Sequence, residues 1–203
     1  EHRNKERSIL YSKSSENDGN KFTPDVTPIT KASWYAVETF GKIFAKKDER
    51  KRDAIGIDQS RAPTSLKETL IRIQNDNERS YFLSGEVDKL IYDEECLFSD
   101  PFVAFSGRDR FVENLQNLGS FVTTYSAKTL KYTVSDDGLQ VQTKVMVKLE
   151  LNLPWKPILA WPWGVTYNID AESCLVTDHA ESWDIKPLDG VKQIFRKPVI
   201  KID

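Results

Sequence analysis

The sequence predicts an α+β fold: a cone-shaped, curved antiparallel sheet wrapped around about three helices that precede it in the chain. Three observations lead there. From residue 65 to residue 119 apolar residues recur at helical spacing, and from residue 130 onward they alternate with polar ones. Within the second part, Leu139, Val141, Thr143, Val145, Val147, Leu149 and Leu151 alternate with Gln140, Gln142, Lys144, Met146, Lys148, Glu150 and Asn152, the pattern of a long strand with one buried face. The helices come first, so they are available to cover that face. A curved sheet folded over a helix leaves a cavity at its open end.

Ahead of this domain lies a mostly irregular N-terminal extension, residues 1–62. Residues 1–29 are polar, with Asn, Asp, Gly, Ser and Pro scattered through them, and read as disordered or draped over a partner. In "KASWYAVETFGKIFAK", residues 31–46, Trp34, Val37, Phe40 and Phe44 fall near one side of a short amphipathic helix flanked by lysines. Gly41 weakens that helix. The aromatic side either packs on the parent domain or serves as a membrane-surface anchor or a docking helix for another protein. Residues 47–62 form a charged linker, and the folded domain spans 63–203.

Within the domain, "SLKE" at Ser65 to Glu68 is a capping-box pattern that starts the first helix, with Leu66, Leu70 and Ile73 following at helical spacing. A second short helix is expected over Glu86 to Tyr92, with Val87, Leu90 and Ile91 inward. "ECLFSD" reads as a short strand. "GRDRFVENLQNLG" reads as a third helix, with Phe111, Leu115 and Leu118 on one side and Gly119 ending it. "LKYTV" and the long strand after it are joined by "SDDG", a hairpin turn signal. "GVTYNID" and "CLVTDHAESWDI" supply two more strands around the turn "AES", and "DGVKQIFRKP" a final helical turn. Between the long strand and "GVTYNID" stands "LPWKPILAWPWG", with three of the five Trp and three of the nine Pro. Its prolines argue against regular strand pairing, so it is expected to be a stiff aromatic connection at the edge of the cone, either plugging the core or forming a rim for a partner or a membrane.

Composition narrows the function. Residues 1–62 carry 13 Lys/Arg against 10 Asp/Glu, and residues 63–203 carry 16 against 21, so a basic leader precedes an acidic domain. The formal net charge of −2 gives no general attraction to nucleic acid. No run of eighteen apolar residues is present. Two cysteines, Cys96 and Cys174, make neither a disulfide framework nor a metal-ligand spacing. The opening "EHRNKERSILYSKSS" reads either as the tail of a trimmed targeting segment or as an arbitrary boundary.

"GEVDKLIYDEECLFSDPFVAFSGRDRFVENL", residues 85–115, resembles the SnoaL-like, or nuclear-transport-factor-2-like, superfamily: a short helix, a Tyr, an acidic pair, a strand ending in Asp-Pro, then a Gly and a helix. "CLVTDHAESWD", residues 174–184, is similar to that superfamily's last strand. Together with "LPWKPILAWPWG" and "HAESW", the segment resembles a plant and algal family of unknown function whose members are mostly chloroplast proteins. The resemblance covers about residues 63–197 and implies the cone fold and a chloroplast location, in stroma or at thylakoids, with a transit peptide removed. It does not fix function, because this fold carries isomerases, dehydratases, hydrolases, cyclases and non-catalytic proteins.

Two residues stand out for chemistry. Asp100, beside Pro101, matches the general base of the ketosteroid isomerase branch. That branch also uses a helix Tyr and a protonated late-strand Asp; the corresponding positions here fall near Asp76, Asn77 and Glu78, and near Val165, and offer neither. Asp100 is read first as a turn cap. His179 shares a strand face with Leu175, Thr177, Glu181 and Trp183 and is either a structural histidine or half of a polar pair with Glu181. Tyr92, Phe98, Tyr167, Glu181 and Trp183 are expected to line the pocket. Trp34, Phe40, Phe44, Trp155, Trp161 and Trp163 are expected to meet a partner or a membrane. No metal site or cofactor is expected, since His179 is the only histidine of the domain and no phosphate-cradling loop or dinucleotide fingerprint occurs. The incomplete proton-handling set favours a non-catalytic accessory, assembly or complex-subunit module that holds a protein partner or an apolar small molecule. The alternative is a small-molecule enzyme using Asp100 and His179 for acid–base work.

Overall fold

The structure, a computed structural model, describes residues 60–197. Its elements run α1 (Leu66–Glu78), α2 (Tyr81–Ser84), a 3-10 turn (Lys89–Ile91), β1 (Tyr92–Ser99), β2 (Ala104–Ser106), α3 (Arg108–Phe121), β3 (Val122–Val134), β4 (Gln140–Leu151), β5 (Ile158–Ile169), β6 (Val176–Trp183) and α4 (Pro187–Gln193). The strands form one curved, unclosed sheet in the order β2-β1-β6-β5-β4-β3. Neighbours are antiparallel except β1 and β6, which run parallel. The helices cover the concave face, and the core lies between them. The leader helix near 31–46, with Trp34, Phe40 and Phe44, lies outside the described residues.

Local signals set most boundaries. Ser65 Oγ accepts the Glu68 N–H, while Glu68 reaches back one residue further than a capping box does, to the Thr64 N–H at 3.0 Å. At the β3–β4 hairpin Gly138 takes a positive φ of 74°, which a side chain would resist. In β4 the alternation holds as read: Val141, Thr143, Val145, Val147, Leu149 and Leu151 are buried.

Four expectations are corrected. The second helix is not at Glu86 to Tyr92 but at Tyr81–Ser84, where Gly85 ends it at φ 75°. Asp88 then caps a single 3-10 turn through the Leu90 N–H, and Tyr92 already belongs to β1. Strand β3 begins at Val122, eight residues before Leu130; it is the edge of the sheet and mostly exposed, so its first half carries no apolar alternation. The prolines do not keep "ILAWPWG" out of the sheet: β5 contains Pro162 opposite Met146. An extended residue points its C=O and N–H to the same neighbour. The Pro162 C=O accepts from the Asp184 N–H just past the end of β6, so the missing N–H faces a place where β6 has ended and no ladder bond is lost. Finally, α3 runs through Gly119 to Phe121.

Gly119 serves close approach instead of termination. A Cβ there would sit 2.8 Å from backbone atoms of Ser84 and Gly85, and one on Gly85 would meet the backbone of Leu115 and Gln116 at 3.1 Å. The two glycines let the end of α2 lie directly on α3. Gly119→Ala is expected to lower stability by about 1–3 kcal/mol through overpacking, despite the helix preference for Ala. A denaturant midpoint equal to or above that of the parent would show that α2 is free to move away.

Candidate functional site

A cavity of about 460 Å³ opens inside the cone. Strand β1 and the turn after it contribute Phe98, Ser99, Asp100 and Phe102; α3 contributes Phe111, Leu115, Leu118 and Phe121; β4 contributes Leu149 and Leu151. The opposite wall is Leu159, Trp161 and Trp163 from β5 with His179, Glu181 and Trp183 from β6. Val191, Ile194 and Phe195 close over it from α4 and the turn beyond, beside Leu153 and Trp155. The wall is mostly carbon, broken on α3 by Asn114 and Asn117, and among the described residues no Lys or Arg lines it. Trp155 and Phe195, 39% and 76% exposed, mark the open end.

That end is tied by specific bonds. Trp155 Nε1 donates to the Ile194 C=O at 2.7 Å. The Gln193 side chain pairs with both backbone groups of Ala160, accepting from N at 2.7 Å and donating to O at 3.3 Å. Gly190 lies against the Trp183 ring, where a Cβ would sit at 3.2 Å.

At the inner wall, His179 Nε2 and Glu181 Oε1 are 3.3 Å apart. They stand two residues apart on β6, so the strand period puts both on the concave face. A bulge sets the phase: Asn168 pairs with Asp178 and Ile169 with Val176, leaving Thr177 unpaired. Val176 and His179 therefore both point inward, in place of the Leu175 and Thr177 expected to share that face. His179 is 1% exposed. It is surrounded by the rings of Phe111 at 4.9 Å, Tyr167 at 5.1 Å, Phe98 at 5.4 Å, Tyr92 at 5.9 Å and Tyr81 at 6.2 Å.

Burial governs the charge of the pair. It lowers the His179 imidazole to about 3, only partly opposed by Asp178. It raises the Glu181 carboxyl to about 8. The Trp163 indole moderates that rise but lacks the geometry of a full hydrogen bond. At neutral pH the pair is thus an uncharged imidazole beside a carboxylic acid. The phenols of Tyr81, Tyr92 and Tyr167 are all pushed up by burial. Tyr81 and Tyr167 share a 2.8 Å hydrogen bond, and Asn77 donates to the Tyr167 oxygen at 3.1 Å.

The other predicted residues divide clearly. Asp100 lines the cavity, but its Oδ1 accepts the N–H groups of Phe102 and Val103 at 2.7 and 2.9 Å; it is a turn cap and is not held as a base. Phe98, Glu181 and Trp183 line the cavity, whereas Tyr92 and Tyr167 stand behind His179. Trp161 and Trp163 are 4% and 6% exposed. They form a continuous aromatic wall with Trp183, the Trp161 and Trp183 rings 4.6 Å apart, and are cavity wall instead of outer rim. Trp155 alone of the three reaches solvent. Tyr81 and the closing residues of α4 were missed, since only the tertiary fold brings them to His179 and to the mouth. No group of three or more His, Cys, Asp or Glu side chains among the described residues can hold a metal ion.

A family model described as "Uncharacterized conserved protein (DUF2358)" matches residues 68–180. No curated protein matches the chain in sequence. Among solved structures, the chain is similar to BvnE pinacolase from Penicillium brevicompactum, with a TM-score of 0.50 and 14% identity over 67% of this chain and 94% of that one. It is also similar to an LEH-like epoxide hydrolase of M. tuberculosis, with a TM-score of 0.46 and 14% identity over 66% and 94%. A third is a hypothetical protein with ketosteroid isomerase-like fold from Catenulispora acidiphila, with a TM-score of 0.43 and 11% identity over 55% and 83%. At 14% identity the likeness to BvnE pinacolase is one of fold alone.

Proposed function

The chain belongs to the DUF2358 family of uncharacterized conserved proteins, and from that premise we propose that its cone is a non-catalytic module that holds an apolar small molecule. The observation that carries this is the 460 Å³ cavity with mostly carbon walls, the uncharged His179 and Glu181 pair at its inner side, and few other polar groups, Ser99, Asp100, Asn114 and Asn117. A pocket of this size and lining suits a compact ring or short chain with one polar end. The chloroplast location, and an accessory role beside a protein partner, come from the family resemblance and belong to the same proposal; plastid fractionation tests the location.

The test is titration with the neutral fluorophore N-phenyl-1-naphthylamine. Saturable one-to-one binding is expected, and Leu118→Trp, which fills the cavity from α3, is expected to weaken it at least tenfold with folding retained. Equal binding by that variant, or no saturable binding by the parent, defeats the proposal.

The second reading, acid–base catalysis, is favoured by one observation, the 3.3 Å contact between His179 and Glu181. With Asp100 bonded in the turn, these two groups are the titratable pair that among the described residues faces the cavity. Deuterium exchange into β-tetralone, an enolisable ketone, by the parent and not by His179→Asn would support it; equal exchange rates would remove it.

A further inference from the structure

We propose that the mouth of the cone is a docking surface for an anionic lipid membrane, reached through Leu188 and Phe195 of the C-terminal segment and Trp155 of the β4–β5 connection. The three side chains are 60%, 76% and 39% exposed. Leu188 and Phe195 lie seven residues apart, on one side of the helical turn that continues from α4 through Arg196. Gly190 faces the other way, onto Trp183, so the helix is anchored by one side and presents large apolar groups with the other. The bond from Trp155 Nε1 to the Ile194 C=O holds the third group beside them. Apolar side chains of this size standing in water next to an apolar cavity call for a cover.

The charge around them chooses the cover. Lys156 follows Trp155, Lys186 stands two residues before Leu188, and Lys192, Arg196 and Lys197 lie within three residues of Phe195. Lys156 is paired with Glu150 and Lys192 with Asp189, whereas Asp184 is held by Lys144. Asp189 is also drawn on by Lys186 and Arg196, so five cations here meet the carboxylates of Glu150 and Asp189, a positive excess in a domain whose overall balance is acidic. Aromatic and aliphatic tips flanked by Lys and Arg suit the headgroup region of an anionic bilayer. The surface surrounds the opening of the cavity, so a docked cone faces the acyl phase from which an apolar ligand would enter. The docking itself stands without that ligand and needs only the exposed groups and the charge.

The test is flotation of the full chain with vesicles of phosphatidylcholine alone and with 30% phosphatidylglycerol. Binding is expected only to the anionic vesicles. It should fall about tenfold in the double variant Leu188→Asp and Phe195→Asp, and by a similar factor in 0.5 M salt, where charge is screened. The single variant Phe195→Ser, expected to fold normally because the side chain is exposed, should show an intermediate loss. No flotation, or flotation unchanged by the variants as an anchor in residues 31–46 would produce, overturns the proposal. So does a dimer in native mass spectrometry that the double variant splits, which would assign the patch to a second copy of the chain.

Discussion

Replacing Asp88 with Ala is expected to cost the domain about 3–5 kcal/mol, the penalty of taking the bidentate partner from a buried cation that keeps only the longer contact to Glu68, at 3.6 Å. Arg72 on α1 is fully enclosed, and its guanidinium donates to both Asp88 oxygens, Nε at 2.6 Å and Nη2 at 2.8 Å. Nη1 donates to the Arg61 C=O at 2.9 Å. Asp76, also buried, accepts the Asp88 N–H at 3.0 Å and pairs with Arg79. The cluster therefore fixes α1 onto the segment leading into β1 and holds Asp88 where it caps the 3-10 turn. Removing one carboxylate takes away the bidentate pair and that cap together. The effect is read as the shift in urea midpoint at unchanged slope. The double variant Arg72→Met and Asp88→Leu should be less damaging than Asp88→Ala alone, because it also removes the desolvation cost of the charges. A loss below about 1 kcal/mol for Asp88→Ala would mean that water reaches Arg72 and that α1 is held by its apolar contacts alone.

That cluster also shows where sequence reading stops. "IRIQNDNERS" looks solvated, yet Arg72 and Asp76 are among its most buried residues, because their partner lies in another segment. Strand β4 was legible because a core on one side and solvent on the other imprint alternation on every residue. Strand β3 was not, because an edge strand exposed over most of its length has no such contrast. The proline rule failed at Pro162, where the neighbouring strand stops one residue short, a fact held only in the pairing. At the site, the His179 and Glu181 pair was legible from the strand period and Asp100 from its turn. The phase of β6 upstream of His179 was hidden by the bulge at Thr177. The closing of the mouth by α4 and the encounter of Tyr81 with His179 depend on packing that local spacing does not carry.

The domain is expected to lose stability as pH rises from about 6.5 to about 8, and Glu181→Gln is expected to remove much of that loss. Burial raises Glu181 from 4.5 to about 8, and Asp76 from 3.8 to about 7. A carboxyl raised in the folded state binds its proton more tightly there than in the unfolded chain. Its contribution is therefore fully present below its unfolded value and is lost as pH climbs through the folded one, at about 1.4 kcal/mol per pH unit for each group. His179 acts in the opposite sense. Lowered from 6.5 to about 3, it stays neutral in the fold while the unfolded chain takes up a proton, so stability falls as pH drops from about 6.5 toward 3. Above pH 6.5 it no longer opposes the two carboxyls, which places the steep limb there. The amide of Gln keeps the shape of the acid and can still bond His179 Nε2 but never charges. Urea midpoints from pH 5 to 9 should nearly coincide for parent and variant at the acid end and separate toward alkali. At pH 9 the variant should be ahead by on the order of 3 kcal/mol. Glu181 is the informative position because it faces the cavity as well as the core: its side chain keeps 12% exposure. If the cone interior is as dry as its carbon walls imply, the acid must stay neutral until pH 8. Parallel curves would instead mean that water entering at the mouth already solvates the carboxylate, and an apolar ligand would then have to displace that water to bind.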